Sequence, residues 1–300
     1  MASYSIGIIK ASRITVNMKT LLKYARVLLF SILRYPLVLK LARFINKLGG
    51  VFPPQKIIID GQVFSAQKPD RLLALFLLKH KALEKGESYI FNNIIQKGWT
   101  VVDIGANLGY YTIRAARLVG NHGKVIAFEP EEENFHFLEK NIRANKYTQI
   151  QALPWAVSDI SGTTQIYISE ENSGDHRIYN TGANRNKREI NTTSLDDFFK
   201  PGDRINFIKM DIQGAEFLAL KGMKRVLNDN PEIIIMSEFW PEGLTQSGSS
   251  PQEFLRALQQ HGFFLAYIDE KTNAIIKSSP EELMTLCGTH GYANLLLRRN

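Results

Sequence analysis

The chain has 300 residues, one cysteine, 44% apolar residues and a net charge of +8. That length holds a full catalytic domain plus a smaller module and buries a core without disulfides. A single cysteine excludes a disulfide framework within the chain and a cysteine-built metal centre, in keeping with a reducing, cytoplasmic setting.

The charge is concentrated at the start. Residues 1–50 carry nine Lys or Arg and no acidic residue, so residues 51–300 sum to −1, the difference between +8 and +9. Residues 51–300 therefore have no net basic charge for gripping a phosphate backbone, which argues against a nucleic-acid partner. Between residues 18 and 48, Lys40, Arg43 and Lys47 recur at helical spacing beside an apolar stripe of Leu37, Leu41, Phe44, Ile45 and Leu48, the pattern of an amphipathic helix. Pro36 breaks it near Tyr35. Arg34 and Lys40 at the centre of a span would cost roughly 5–7 kcal/mol, and the longest uncharged run within the segment, residues 27–33, is too short to cross a bilayer. Three readings stay open for residues 1–50: packing on the catalytic domain or a second subunit, peripheral contact with an anionic inner membrane surface, or a targeting segment.

Pro53-Pro54 makes a stiff joint, after which residues 56–64 predict a hairpin turning at Asp60-Gly61. Residues 71–81 and 88–96 predict two short helices, so residues 51–85 form a lead-in to a domain over 86–300. Residues 99–104 are a β-branched run of the kind buried on both faces of a sheet, ending at Asp103, and Gly105 and Gly109 permit a tight turn into a helix. Ligands of open α/β sheets bind at that edge. The spacing Gly105-x-x-x-Gly109 is not the G-x-G-x-x-G of a dinucleotide site, and no P-loop occurs. The next strand, residues 124–128, ends at Glu129, about twenty residues beyond the glycine loop, where a carboxylate can bind the hydroxyls of a ribose.

Further strands are predicted over 150–157, 163–168, 189–193, 205–210, 232–237, 263–268 and 293–297, with a helix starting near Pro251. The polar stretch 169–191 reads as a long loop, disordered or serving as a substrate lid. The alternation of strands and helices predicts an α/β fold with a doubly wound, mostly parallel sheet, helices on both faces and amphipathic helices ahead of it. Cys287 has no thiolate-stabilising neighbour in sequence and is read as packing.

The strings DIGANLGYYT (103–112), IAFEP (126–130), AVSD (156–159), TSLDDF (193–198), FIKMDIQGAE (207–216) and SEF (237–239) occur in this order. Together they resemble the FkbM family of S-adenosylmethionine-dependent methyltransferases, over residues 86 to the C-terminus. The resemblance implies a class I methyltransferase fold, S-adenosylmethionine as cofactor, and O-methylation of a sugar or other small hydroxylated acceptor. With position in the chain, it also implies that Asp103, Gly105, Asn107 and Gly109 surround the methionine end, Glu129 the ribose, and Ser158 with Asp159 the adenine.

A hydroxyl nucleophile needs its proton accepted, and a base must lie within hydrogen-bond reach. The candidates are Asp211 at the end of the fourth strand and His176 in the loop NSGDHRI, with Glu238 and Glu216 in reserve. Asp211 has two alternatives, capping the helix expected near Ala215 or contacting the cofactor's amine. No HExxH occurs, so no metal site is expected. A nicotinamide-dependent oxidoreductase and a non-catalytic cofactor-binding protein remain as rival readings.

Overall fold

The computed structural model describes residues 56–66, 85–169, 172–180, 182 and 184–299. The basic helices expected over 18–48 and the helix expected over 71–81 lie outside the described residues. Asp60 and Gly61 both adopt positive φ, 51° and 80°. They turn strand β1 (Ile57–Ile59) into β2 (Gln62–Phe64) with antiparallel pairing, the geometry Asp-Gly supplies at low cost. Helix α1 (Lys85–Ile94) follows, its first amides capped by the Glu270 carboxylate.

The core is an eight-stranded sheet. Its parallel centre comprises β3 (Thr100–Ile104), β4 (Lys124–Phe128), β5 (Ile150–Leu153), β9 (Phe207–Met210) and β10 (Ile234–Phe239), in the order β10-β9-β3-β4-β5. Strands β13 (Ala293–Leu297), β11 (Ala266–Ile268) and β12 (Ile275–Lys277) extend it beyond β10 in antiparallel pairing. The chain leaves β3 toward β4 on one side and later places β9 on the other. The crevice between the carboxyl ends of β3 and β9 is therefore the switch point where such sheets hold ligands.

Both faces are covered, as parallel strands require. On one face Val102, Ile104, Ile208 and Met210 pack against α5 (Glu216–Lys221), α8 (Pro251–Gln260) and α9 (Pro280–His290) through Phe217, Phe254 and Leu283, the short helices α4 (Leu195–Phe198), α6 (Lys224–Asp229) and α7 (Pro241–Gln246) flanking α5 in the chain. On the other, Val101, Val125 and Phe207 meet Phe91 of α1 and Ala115 and Val119 of α2 (Tyr110–Val119). Helix α3 (Glu132–Asn145) carries Asn141 and Asn145, which hydrogen-bond the β2 hairpin backbone at Ser65 and Val63. No helix among the described residues is long and apolar enough to cross a membrane.

The structure corrects several element boundaries. The single strand expected over 150–157 is two, β5 in the main sheet and β6 (Trp155–Val157) in a separate three-stranded sheet with β8 (Asn186–Thr193) and β7 (Gly162–Ile168). Pro154 sits between them and has no N–H for a ladder, so the pairing stops there. Glu238, expected after its strand, lies inside β10 as the partner of Asn294. Strand β12 and helix α9 were not anticipated. The strand's residues are all exposed, so no buried alternation marks it, while Ser279 and Glu282 form a capping box that opens α9, with Pro280 at its first position.

Candidate active site

At the end of β3, Gly105 takes φ +84°, and its amide and that of Ala106 both donate to the Phe128 carbonyl at 3.0 Å. A Cβ at Gly105 would overlap the Asp211 carbonyl oxygen, so only glycine lets the β3 turn lie against the end of β9. Asn107, also at positive φ, donates its backbone N–H to Glu129 Oε2 at 2.8 Å, and Glu131 N–H donates to Glu129 Oε1 at 3.0 Å. Glu129 is 5% exposed. Burial pushes its carboxyl up to about 7, against the pull of those two amides. Gly109 caps the start of α2 at φ 94°.

Asp103 is sealed beneath this loop, accepting from the Thr112 hydroxyl at 2.5 Å, and burial raises it to about 6. On the neighbouring strand its register partner is Lys209. Asp211, two residues further on, turns toward the cleft with its side chain 32% exposed. Its Oδ1 accepts from the Gln213 amide at 2.9 Å, and the same NH₂ reaches Glu238 Oε2 at 3.2 Å. Asp211 does not cap the following helix. That helix has no side-chain cap; Glu216, its first residue, instead holds the preceding turn, its Oε1 accepting from the Ile212 amide at 3.0 Å, with its carboxyl raised to about 7 by burial.

The cleft is bounded by the Gly105 loop, Glu129 and Asp211, with an apolar wall that includes Phe128, Trp155 and Val157. Ser158 and Asp159 are not among its lining residues. Ser158 is buried, donates to Asp159 and packs its carbonyl against Gly222. The stretch 172–178 arches over the cleft. The Ser173 carbonyl accepts from Asn107 Nδ2 at 3.1 Å and Asn134 Nδ2 at 2.9 Å, and further along the Tyr179 hydroxyl donates to the Gln213 carbonyl at 2.5 Å. His176 lines the cleft, but its Nδ1 accepts the Ser169 amide at 3.0 Å while Nε2 faces Glu131 at 3.9 Å. A neutral imidazole has one acceptor nitrogen, and here it is taken.

Sequence reasoning missed Lys209, Glu87, Gln213 and Tyr179. A lysine inside the apolar run FIKM was the available signal, because lysine is almost never fully buried unless paired. Cys287, by contrast, packs beneath Phe239, and burial raises its thiol to about 12, so it is no nucleophile.

A glycine turn at the switch point, a buried carboxylate at the next strand end and an apolar wall beside it define a class I methyltransferase. Residues 103–265 match the methyltransferase FkbM domain, and the chain belongs to that family. Its cofactor is S-adenosylmethionine, in place of the nicotinamide alternative. The residues present fit that group: Glu129 is a carboxylate fixed by two amides, and the wall of Phe128 and Trp155 suits a flat ring.

Among curated relatives, "Probable cobalt-precorrin-6B C(15)-methyltransferase (decarboxylating)" of Saccharolobus solfataricus is 27% identical over 48% of this chain and 80% of its own. The hexuronic acid methyltransferase AglP of Haloferax volcanii is 29% identical over 44% of this chain, which spans 53% of AglP's length. The solved structure of precorrin-6y C5,15-methyltransferase from Geobacter metallireducens aligns with 72% of this chain and 88% of its own, at 15% identity and a TM-score of 0.39.

Proposed function

We propose that this methyltransferase methylates a hydroxyl of a sugar or other small hydroxylated acceptor, with Asp211 as the general base. The observation that carries the reading is exposure. Asp103, Glu129 and Glu216 are only 2%, 5% and 0% exposed, whereas the Asp211 side chain, on the wall of the cleft, is 32% exposed. A base has to meet the proton it takes. Bound S-adenosylmethionine supplies a methyl group open to direct displacement. The chain's own contribution is to hold Asp211 through Gln213, to accept the acceptor's proton on Asp211, and to exclude water beneath 172–178. A carboxylate has about four lone-pair positions, so the Gln213 contact leaves Asp211 able to accept another. Glu238 supports Gln213 from the opposite side, and His176 ties the roof to Glu131 rather than moving a proton.

In this reading Gly105 and Asn107 hold the methionine end, with Asp103 and Gly109 shaping their loop from outside the cleft lining, and Glu129 holds the ribose, while Ala156 and Val157, which line the cleft, stand beside the adenine in place of the Ser158 and Asp159 side chains. AglP's name supports a carbohydrate acceptor, whereas the cobalt-precorrin name specifies methylation at a carbon of a different acceptor, so the relatives' names agree on methyl transfer and differ on the acceptor. Residues 86–300 are taken as the catalytic domain, and residues 18–48, by their charge and apolar stripe, as a contact with anionic membrane or with a second subunit; failure to float with anionic vesicles at low salt would remove the membrane contact. The acceptor is tested by S-adenosylhomocysteine release with hexuronic acids, hexoses, phenols and amines. Turnover on a hydroxyl that Asp211→Asn removes supports the proposal, and turnover confined to amine or carbon acceptors overturns it.

A further inference from the structure

Behind the cleft floor lies a buried charge cluster that the reaction as described does not use. Lys209 is 2% exposed and Glu87 is fully buried, and their charged atoms stand 3.1 Å apart. On its other side the Lys209 ammonium lies 3.6 Å from Asp211 Oδ2. Glu87 is held in turn. Its Oε2 accepts from the Tyr111 hydroxyl at 2.9 Å, and its amide is capped by Glu270. The Tyr111 ring also sits 5.1 Å from the ammonium. The elements converging here come from distant parts of the sequence: α1 supplies Glu87, α2 Tyr111, β3 Asp103 and β9 Lys209.

A buried ion pair is costly to desolvate and adds little to stability over an apolar pair of similar shape. An apolar strand residue would satisfy the sheet at position 209, so packing does not account for a lysine there. What lysine does supply is one fixed positive charge between the inner carboxylate, Glu87, and the outer one, Asp211. The groups facing Asp211 are Lys209 on its own strand, Asp103 on β3, Glu216 on α5 and Glu238 on β10 by way of Gln213. Of these only Lys209 is a cation, so among them it alone supplies positive charge beside Asp211 against three carboxyls.

We propose that Lys209 is the positioning residue for Asp211, and that Glu87 meters its charge: the 3.1 Å pair holds the ammonium back at 3.6 Å from Asp211 Oδ2, so that Asp211 keeps a cation beside it without being locked into a close ion pair. This rests on the reading of Asp211 as base, but the relation among Glu87, Lys209 and Asp211 is measurable without any acceptor. Removing the lysine charge raises the pH at which Asp211 titrates. Removing the Glu87 charge frees the ammonium to swing toward Asp211 and lowers it. Residues that served only packing would produce no such opposite pair of shifts.

The experiment follows the Asp211 carboxyl carbon by NMR as pH is varied, in full-length protein labelled at aspartate, with the resonance assigned by its loss in Asp211→Asn. Lys209→Met should move the Asp211 midpoint up by about one pH unit or more, as expected for loss of an opposite charge within about 4 Å, and Glu87→Gln should move it down. Because Lys209→Met leaves Glu87 buried and unpaired, the double variant Glu87→Gln/Lys209→Met keeps the test open should the single one fail to fold; its midpoint should also lie above the parent's. Midpoints that stay within a few tenths of the parent in Glu87→Gln and the double variant, or that shift in the same direction in both, overturn the proposal. Shifts as expected, with methyl transfer unaffected by Asp211→Asn, would instead uphold the coupling and defeat the reading of Asp211 as base.

Discussion

The backbone N–H of Asn107 donates to Glu129 Oε2 at 2.8 Å, tying the loop after β3 to the end of β4. One carboxylate thereby holds the loop's shape and faces the cleft. Glu129→Ala is expected to weaken S-adenosylhomocysteine binding by about 1.5–3 kcal/mol, roughly ten- to a hundredfold, the scale of a charge-assisted hydrogen bond. Titration calorimetry beside circular dichroism checks it; unchanged affinity in a folded variant would place the ribose elsewhere.

Asp211 is tethered by Gln213, not by the cofactor loop's side chains. Asp211→Asn should therefore lower kcat by about 10²- to 10⁴-fold while S-adenosylhomocysteine affinity stays within a few-fold. Steady-state kinetics on the acceptor found by screening, paired with calorimetry, separates the two effects.

His176 has its Nδ1 occupied by the Ser169 amide. His176→Gln should cost less than about tenfold in kcat and leave the acidic limb of the pH–rate profile where it was, because the imidazole moves no proton in this account. Disappearance of a limb near pH 6–7 would show that it does.

Glu216 is fully buried, with no hydrogen-bond partner at Oε2, and burial lifts its carboxyl from 4.5 to about 7. A carboxyl whose pKa is higher in the fold than in the unfolded chain contributes stability fully present below about 4.5 and lost as pH rises through about 7. Asp103 and Glu129 act in the same direction, with values of about 6 and 7. Unfolding free energy of the ligand-free protein should fall between about pH 5 and 8, and Glu216→Gln should flatten that fall and be about 1–3 kcal/mol more stable than the parent at pH 8. Urea denaturation at both pH values decides; a variant weaker at pH 8 would contradict the buried charge.

Gly105 occupies a conformation that L side chains rarely adopt, directly against the Asp211 carbonyl. Gly105→Ala is expected to cost at least about 2 kcal/mol of stability and to abolish measurable cofactor binding. Thermal unfolding with and without S-adenosylhomocysteine reads both; a variant that binds normally would mean the loop has room to shift.

Much of this was legible in the chain itself because its signals are local. Asp60-Gly61 carries its own turn chemistry, the run at β3 carries its own β-branched character, and the step from Asp103 to Glu129 is set by one strand–helix–strand unit. What escaped depends on contacts made across long separations or on a single atom. Pro154 divides an apolar stretch between two sheets, which periodicity does not register. The Lys209–Glu87 pair joins residues from β9 and α1, and nothing near either one announces the other. The engagement of His176 Nδ1 depends on one backbone amide, that of Ser169, and nothing in a polar stretch of sequence announces that a histidine's lone pair is taken.

The central claim is that cofactor binding and proton acceptance reside in different carboxylates at one sheet edge, Glu129 and Asp211. Its most direct test is calorimetric titration of S-adenosylhomocysteine into the parent, Glu129→Ala and Asp211→Asn. The account predicts tight binding by the parent, at least tenfold weaker binding by Glu129→Ala, and near-parent binding by Asp211→Asn. Loss of binding in Asp211→Asn with Glu129→Ala unaffected would contradict it.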